Sequence, residues 1–229
     1  MAYDLDEQEQ IDQMKAFWAK WGNLMMWAAI AVALGFALFY GYKYYQRSQA
    51  QKAVPVYEQL EKAVSTLNTD AAKDAKNIQI VKDLAGKLTA EHSGSAYAQM
   101  AAVLGAKALA DANAPKDAAP LLQWAVDKAT DPEYSLLARL RLAGIYLDEK
   151  KLTEASALLS ASVPKSFEAL FADRRGDVLA ASGKNTEAGA EYQKAWNGLE
   201  ENAQLRDVIE QKAQMMGVAI VKPVKPATP

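Results

Sequence analysis

The sequence predicts an all-α protein in which one N-terminal transmembrane helix precedes an array of antiparallel helix pairs. Three observations predict this fold: a 51% hydrophobic composition with only 12 glycines, an uncharged run near the N-terminus, and small residues that recur at a regular period. Runs of good helix formers without alternation of apolar and polar residues favour helices over strands. A chain of 229 residues is long enough for an anchor and one folded domain.

The uncharged run extends from Trp21 to Tyr42. As a helix it would be roughly 33 Å long, enough for a hydrocarbon core of about 30 Å. Aromatic rings lie at both ends, as expected at the depth of the lipid headgroups. They are Phe17, Trp18, Trp21 and Trp27 on one side, and Phe39, Tyr40, Tyr42, Tyr44 and Tyr45 on the other. The run therefore predicts an anchor in the lipid bilayer.

Two other interpretations of this run are less favoured. A cleaved signal peptide would have a shorter apolar region, a basic rather than acidic leader and a small-x-small cleavage site. A buried core helix of this length would keep a polar face. Flanking charge does not decide the orientation, because lysines precede the run and slightly more basic residues follow it. Long domains translocate largely regardless of such charges, so an exported C-terminal domain is permitted.

Small residues spaced four apart mark one face of the predicted anchor. Ala31 with Gly35, and Ala37 with Gly41, would allow a second helix to approach closely. We take Ala31 and Gly35 as the candidate packing site in the membrane. The alternative is ordinary lipid-facing filler, because alanine is common in any membrane helix.

The tail before the anchor also has helical periodicity. Its apolar residues Ile11, Met14, Trp18 and Trp21 are spaced by three or four, with acidic residues before or opposite them. This pattern predicts a helix that leads into the anchor. Its acidic face is either solvated or contacts another protein.

Behind the anchor, small residues repeat. Ala106, Ala143 and Gly176 are each followed twelve positions later by a second small residue. The period is close to the 34 residues or so of tetratricopeptide repeats. Two helices cross closely only where side chains are small, so these positions predict TPR-like helix pairs. The second small residues are Ala118, Ala155 and Ala188, the large neighbours are Leu109, Tyr146, Leu179, Leu122, Leu159 and Tyr192, and a third small set is Ala125, Ser162 and Ala195.

Turn and cap residues separate the predicted helices. Thr153 and Asn185 lie where helix N-caps are expected, and Gly183 is an expected C-terminal stop. Asp131 is expected to cap a helix that Pro132 opens, because proline at the first helical position loses no hydrogen bond.

The domain boundaries follow from these patterns. A junction that includes Pro55 should precede a helix pair at 56–67 and 71–88, and a last helix should run from Ala203 to Met216. The proline-rich end cannot continue a helix. The predicted divisions are residues 1–20 for an acidic tail, 21–45 for the anchor, 46–217 for the TPR-like domain and 218–229 for a disordered tail.

No residue set nominates catalytic, cofactor or metal chemistry. The chain has no cysteine and one histidine, His92, which is expected in an exposed loop. The motifs of phosphate-binding loops, esterase elbows and zinc proteases do not occur. A net charge of -2, with Lys and Arg unclustered, disfavours nucleic acid as a partner. We therefore expect a protein without enzymatic activity, cofactor or metal that acts through its surface.

The first helix of each TPR unit normally lines the concave side. An apolar centre flanked by charge would suit an extended or helical segment of another protein. The alternative is that the leucines there pack against a neighbouring helix. The candidate residues are Met100, Val103, Lys107, Leu137, Leu140, Leu147, Leu170, Asp173 and Asp177.

Three features occur in one order: the tail EQEQIDQMKAFWAKWGN, a single anchor behind it, and degenerate TPR-like helices that include ALFADRRGDVLAASGKNTEAGAEYQKAW, from Ala169 to Trp196. In this order they resemble the YfgM family of ancillary SecYEG translocon subunits, up to about Gly217. The units depart from the usual TPR pattern, because Ala102, Arg139 and Ala172 stand where an aromatic residue is usual. The resemblance implies a single-pass type II protein of the bacterial inner membrane, with its N-terminus in the cytoplasm and its C-terminal domain in the periplasm. It also implies association with SecYEG and the periplasmic chaperone PpiD.

The sequence therefore leads to the hypothesis of a non-enzymatic translocon accessory that receives or hands on exported, unfolded polypeptides. The alternative hypothesis is a membrane-anchored TPR scaffold for envelope assembly or cell division.

Overall fold

A computed structural model describes residues 3–67, 75–200 and 202–222, with side chains from residue 8 onward. All regular secondary structure in these ranges is α-helical, which confirms the predicted fold class. The helices are α1 (Tyr3–Leu67), α2 (Ala75–Glu91), α3 (Ala96–Asp111), α4 (Pro115–Lys128), α5 (Pro132–Asp148), α6 (Leu152–Leu159), α7 (Lys165–Ala181), α8 (Asn185–Gly198) and α9 (Leu205–Met215).

The chain divides into two compact units, Met1–Gln49 and Ala50–Pro229. Pro55 lies inside α1, so the predicted interruption there is wrong. An internal proline costs about 3 kcal/mol through its lost hydrogen bond and its ring clash. Here Tyr57 and Leu60 follow it into the core of the second unit, and burial of such side chains, about 2 kcal/mol each, offsets that cost. The predicted divisions at 20/21 and 45/46 stay predictions.

The second unit is built from helix pairs that form a layered array. α3 packs on α4, α5 on α6 and α7 on α8, while α3 also contacts α5 and α5 contacts α7. The first helices of the pairs therefore form one layer. At the predicted crossings, Ala143 and Ala155 are completely buried, and a Cβ built on Gly176 would lie 2.5 Å from Tyr192 Cε1. The small residues thus lie where the helices approach most closely, as predicted.

Four helices, α3, α5, α7 and α9, end in the same turn. Each is followed by a residue with positive φ, and the next N–H donates to a carbonyl five residues back, as in a Schellman motif. In one example, Lys184 N donates to Leu179 O at 2.9 Å. α9 therefore has the register of the first helix of a further unit. The residues with positive φ are Asn113, Lys150, Gly183 and Gly217.

The middle pair departs from the predicted pattern, because α6 has only 8 residues. It ends at Leu159, and Ser162, predicted as a small residue at a crossing, is exposed and outside any helix. Pro164 follows closely and disfavours helical backbone in the residue before it. The predicted role of Ser162 is therefore wrong.

The predicted caps are partly right. The Asp131 side chain accepts a hydrogen bond from Glu133 N at 3.0 Å, as predicted. Thr153 and Asn185 are not N-caps, because α6 begins at Leu152 and α8 at Asn185 itself. The turn before each helix, rather than a capping side chain, sets where the helix starts. Lys151 and Lys184 take the cap positions.

The two ends of the array also differ from expectation in detail. α2 is described from Ala75, so the predicted start at residue 71 lies outside the described residues. α9 agrees with the predicted last helix. Within the predicted disordered tail, Ile220 is buried against the array at 9% exposure and Val218 is half-buried, whereas Ala219, Val221 and Lys222 are exposed, and residues 223–229 lie outside the described residues.

Candidate protein-interaction surfaces

In the unit Met1–Gln49, no other described part of the chain buries the apolar stretch of α1. By length and composition, α1 is the one helix in the described part of the chain that could cross a membrane, and none of the residues in its most apolar stretch is buried. Trp27 is 61% and Leu38 is 74% exposed. Ala31 is exposed, and no atom lies within 4 Å of a Cβ built on Gly35. The candidate packing face is therefore open, and such a surface fits a membrane-anchored protein.

The nine candidate residues of the first-helix layer divide by burial. Lys107 and Leu170 are exposed, whereas Met100, Leu137 and Leu147 are half-buried. Met100 and Leu137 pack partly against one hydrophobic core and Leu147 against another, so only Lys107 and Leu170 are largely free of the array. Val103 is 6% and Leu140 is 8% exposed, and both pack in hydrophobic cores. For Val103 and Leu140 the alternative of packing against neighbouring helices is therefore correct.

The two acidic candidates form a polar network with α9. Lys212 Nζ lies 2.8 Å from Asp173 Oδ1 and 2.9 Å from Asp177 Oδ1. Tyr192 donates its hydroxyl to Asp177 Oδ1 at 3.1 Å, and Arg174 Nη1 lies 3.3 Å from Asp177 Oδ2. Asp173 and Asp177 therefore do not present free charge to a partner; they hold α9 against α7.

Burial governs the protonation of this network. It raises the pKa of Asp173, the hydrogen bond from Lys212 opposes the rise, and the neighbouring Asp177 charge adds to it. Burial also raises the pKa of Tyr192, with a further contribution from the charge of Asp177. Tyr192 is therefore a neutral hydrogen-bond donor at physiological pH.

His92 lies in the loop between α2 and α3, as predicted, but it is buried, which contradicts the predicted exposure. The loop is tight, because Ser95 N donates to His92 O at 2.8 Å. Its Nδ1 atom has no hydrogen-bond partner within the described chain. No three His, Asp or Glu residues in the described ranges are grouped so that they could hold a metal ion.

Sequence reasoning missed one contact surface, on α8. The side chain of Gln193 accepts from Val221 N at 2.7 Å and donates to Val221 O at 3.1 Å. The chain's own segment after α9 thus lies along α8 and is held through its backbone. Gln193 has the same register as Gln123 in the aligned repeats, which is the signal in the sequence that was not used.

The comparisons with known proteins match this architecture over nearly its whole length. Residues 15–218 match the model of a tetratricopeptide repeat-like domain. A protein of Neisseria gonorrhoeae named "Ancillary SecYEG translocon subunit" is 30% identical over 215 residues, which cover 93% of this chain and 98% of that protein. The chain belongs to the YfgM family.

Two further relatives of the same name support this assignment. One, from Haemophilus influenzae, is 25% identical over 195 residues, or 85% of this chain and 91% of that protein. The other, from Escherichia coli, is 26% identical over 181 residues, or 78% of this chain and 81% of that protein. No solved structure gives a significant match. The resemblance of this chain to the YfgM family, inferred from its sequence, is therefore confirmed.

Proposed function

We propose that this YfgM-family chain is a non-enzymatic ancillary subunit of the SecYEG translocon that assists the transfer of exported polypeptides to a periplasmic chaperone such as PpiD. The observation that carries the proposal is the extent of the match to the Neisseria gonorrhoeae protein of that name. A match over 93% of the chain includes both the apolar helix and the repeats. The likeness therefore extends beyond a common repeat.

The geometry of the helical domain supports a role in binding rather than catalysis. Two of the most buried carboxylates among the described residues, Asp173 and Asp177, are paired with Lys212. The exposed and half-buried candidates Met100, Lys107, Leu137, Leu147 and Leu170 lie on the first-helix layer. An apolar strip with charge beside it suits an unfolded or helical protein segment.

The first experiment is site-specific photo-crosslinking in cells, with probes at Lys107 and Leu170, which are exposed in the first-helix layer. A probe at the exposed Lys87 of α2 is the matched control. We expect crosslinks from the first-helix layer to translocon subunits, PpiD or an exported protein, and none of these from Lys87. Crosslinks only to division or outer-membrane assembly proteins would instead support the scaffold hypothesis.

The proposed topology places the N-terminus in the cytoplasm and the helical domain in the periplasm. The natural chain has no cysteine, so single cysteines report orientation without background. We expect a membrane-impermeant maleimide to label Lys128→Cys in intact spheroplasts, and Glu9→Cys only after permeabilisation. The reverse pattern would overturn the topology.

A further inference from the structure

The segment that follows α9 shows how this fold holds an extended peptide. Val218 lies so close to α8 that a Cβ on Gly189 would be 2.6 Å from its Cγ2 atom. Ile220, two residues on and therefore on the same side of an extended chain, is buried in the apolar cluster of α8 and α9. Gln193 then binds both backbone groups of Val221. The contact needs an extended backbone and two aliphatic side chains; we name it the tail groove.

The repeat places an equivalent groove two units earlier, between α4 and the end of α5. Ala119 corresponds there to Gly189, Gln123 to Gln193, and Lys151 to Val218. This α4–α5 groove has a volume of about 470 Å³ and is lined by Ala119, Pro120 and Tyr146 and by the polar Lys116, Gln123, Glu149 and Lys151. Lys151 is paired there with Glu149. In the α4–α5 groove, the chain turns from Lys151 directly into α6. The position that residues 219–221 take in the tail groove is therefore not filled by any segment of the described chain.

The two glutamines are held in the same way. Gln193 Nε2 donates to Asn197 Oδ1 at 3.0 Å, and Gln123 Nε2 donates at 3.0 Å to both carboxylate oxygens of Asp127, at the equivalent position. Each bond fixes the orientation of an amide on the helix surface. In the tail groove the Oε1 atom accepts Val221 N. No donor from the described residues pairs with Oε1 of Gln123, so this acceptor is already oriented for a backbone N–H.

The groove between α6 and α7 is a natural internal comparison. It occupies the intermediate unit, has a volume of about 550 Å³ and contains Ser156 and Ser160 at the positions of Gly189 and Gln193. A primary amide presents its acceptor and its donor on two separate atoms, which match the N–H and the C=O of one residue, whereas serine has a single oxygen on a shorter side chain. The backbone-binding residue is therefore repeated only in the α4–α5 groove.

We propose that the α4–α5 groove binds an extended segment of another polypeptide, with Gln123 binding the backbone of one residue and the aliphatic side chain of the residue before it directed into the groove, because Lys151 of the chain itself already takes the place of Val218. The chain's own segment 218–222 shows the required chemistry, because it fills the equivalent groove on α8. The inference deepens the proposed function and rests on it for the source of the segment, an unfolded exported polypeptide. Recognition through the backbone suits clients of varied sequence, since a single aliphatic position is selected.

The test uses purified full-length protein in detergent and a fluorescent peptide with the sequence of Gly217–Lys222, carrying a photoreactive group at the position of Ala219. Binding is followed by fluorescence anisotropy, and the crosslinked site is mapped by mass spectrometry. We expect saturable binding and crosslinks on α4 or α5. Gln123→Leu, which keeps the size of the side chain, should weaken binding about tenfold through the lost hydrogen bonds.

Gln79→Leu is the matched control, because Gln79 is also exposed on a helix and bonds the residue four positions on, Asp83, at 2.7 Å. It should leave binding unchanged. N-methylation of the peptide at the residue equivalent to Val221 removes the N–H donor and should weaken binding as Gln123→Leu does. The two changes together should add little, because they remove the same contact.

Several results would overturn the inference. Equal binding by wild type and Gln123→Leu would remove Gln123 from the contact. Crosslinks confined to α8 and α9 would mean that the peptide displaces the chain's own tail. A dimer lost on deletion of residues 218–229 would identify the occupant as the tail of a second copy. The proposed function fails separately, if the cellular crosslinks contain no translocon or chaperone component while the purified protein still binds the peptide.

Discussion

The middle pair, α5 and α6, and the last pair, α7 and α8, have the same sequence signature but different interiors. In the middle pair, Ala143 packs in a core with the aliphatic Leu159. In the last pair, Gly176 takes the place of Ala143, and Tyr192 the place of Leu159. A buried tyrosine hydroxyl needs a partner, which here is Asp177.

This difference has consequences for the next helix. Asp177 and Asp173 are largely buried carboxylates, and a buried carboxylate needs a cation. Lys212 supplies it from α9. The buried Tyr192 hydroxyl thus requires a polar network, and this network links α9 to α7. The aliphatic crossing of the middle pair has no buried hydroxyl and needs no such network.

The largest effect is expected from Lys212→Met, because it leaves two carboxylates without their shared cation. We expect a loss of about 3 kcal/mol in the free energy of unfolding. Urea unfolding followed by circular dichroism measures it. Lys107→Met is the control: its ion pair with Asp111 is exposed and should contribute less than about 0.5 kcal/mol. Equal effects of the two variants would show that the network does not stabilise the last pair.

Gly176→Ala should destabilise by about 2 kcal/mol, because the new methyl group would overlap the ring of Tyr192. The reverse exchange in the middle pair, Ala143→Gly, should cost about 2 kcal/mol for a different reason, because it combines the poor helix propensity of glycine with the loss of a buried methyl group. The same unfolding measurement compares them. Adding Tyr192→Leu to Gly176→Ala should recover part of the loss, and no recovery would mean that the ring is not the cause.

Asp131→Ala should cost about 1 kcal/mol, because it removes the side-chain cap of α5. Thr153→Ala should change stability by less than about 0.5 kcal/mol, because Thr153 lies inside α6 and caps nothing. Thermal unfolding of the two variants tests this contrast. A loss from Thr153→Ala equal to that from Asp131→Ala would support the cap predicted from sequence.

The smallest effect is a pH dependence. Burial raises the pKa of Asp173 above its ordinary value of 3.8, so the folded state takes up this proton more readily than the unfolded chain. The contribution of Asp173 to stability is therefore largest at low pH and falls as pH rises through the raised pKa. We expect the free energy of unfolding of wild type, minus that of Asp173→Asn, to decrease with rising pH. An increase would mean that pairing with Lys212 lowers the pKa instead.

The fold could be predicted from sequence periodicity, because the small residues at helix crossings recur at a regular spacing. The anchor and the crossings at Ala143 and Gly176 were all predicted. Helix length was not, since the early end of α6 depends on Pro164 and the packing around it. Helix starts were predicted wrongly at Thr153 and Asn185, because the turn before each helix sets its first residue more strongly than a capping side chain.

The interaction surface was predicted less well, for a physical reason. Periodicity assigns Val103, Leu140 and Asp173 to the first-helix layer, but it does not distinguish a side chain that faces a partner from one that faces the next helix. Lys212 lies 39 positions from Asp173 in the chain, and no local pattern links them. Gln193 and Val221 lie 28 positions apart, so no local pattern predicts their backbone contact either.

The shared turn after α3, α5, α7 and α9 makes the joints of this array interchangeable. Each joint has the same backbone conformation, so a chain cut at one of these turns and rejoined at another would continue into the following residues without distortion. Units in such arrays interact mainly with their neighbours. The proposed binding surface can therefore grow or shrink by one helix pair at a time, and a shortened or duplicated array would be a practical way to count how many grooves a bound peptide occupies.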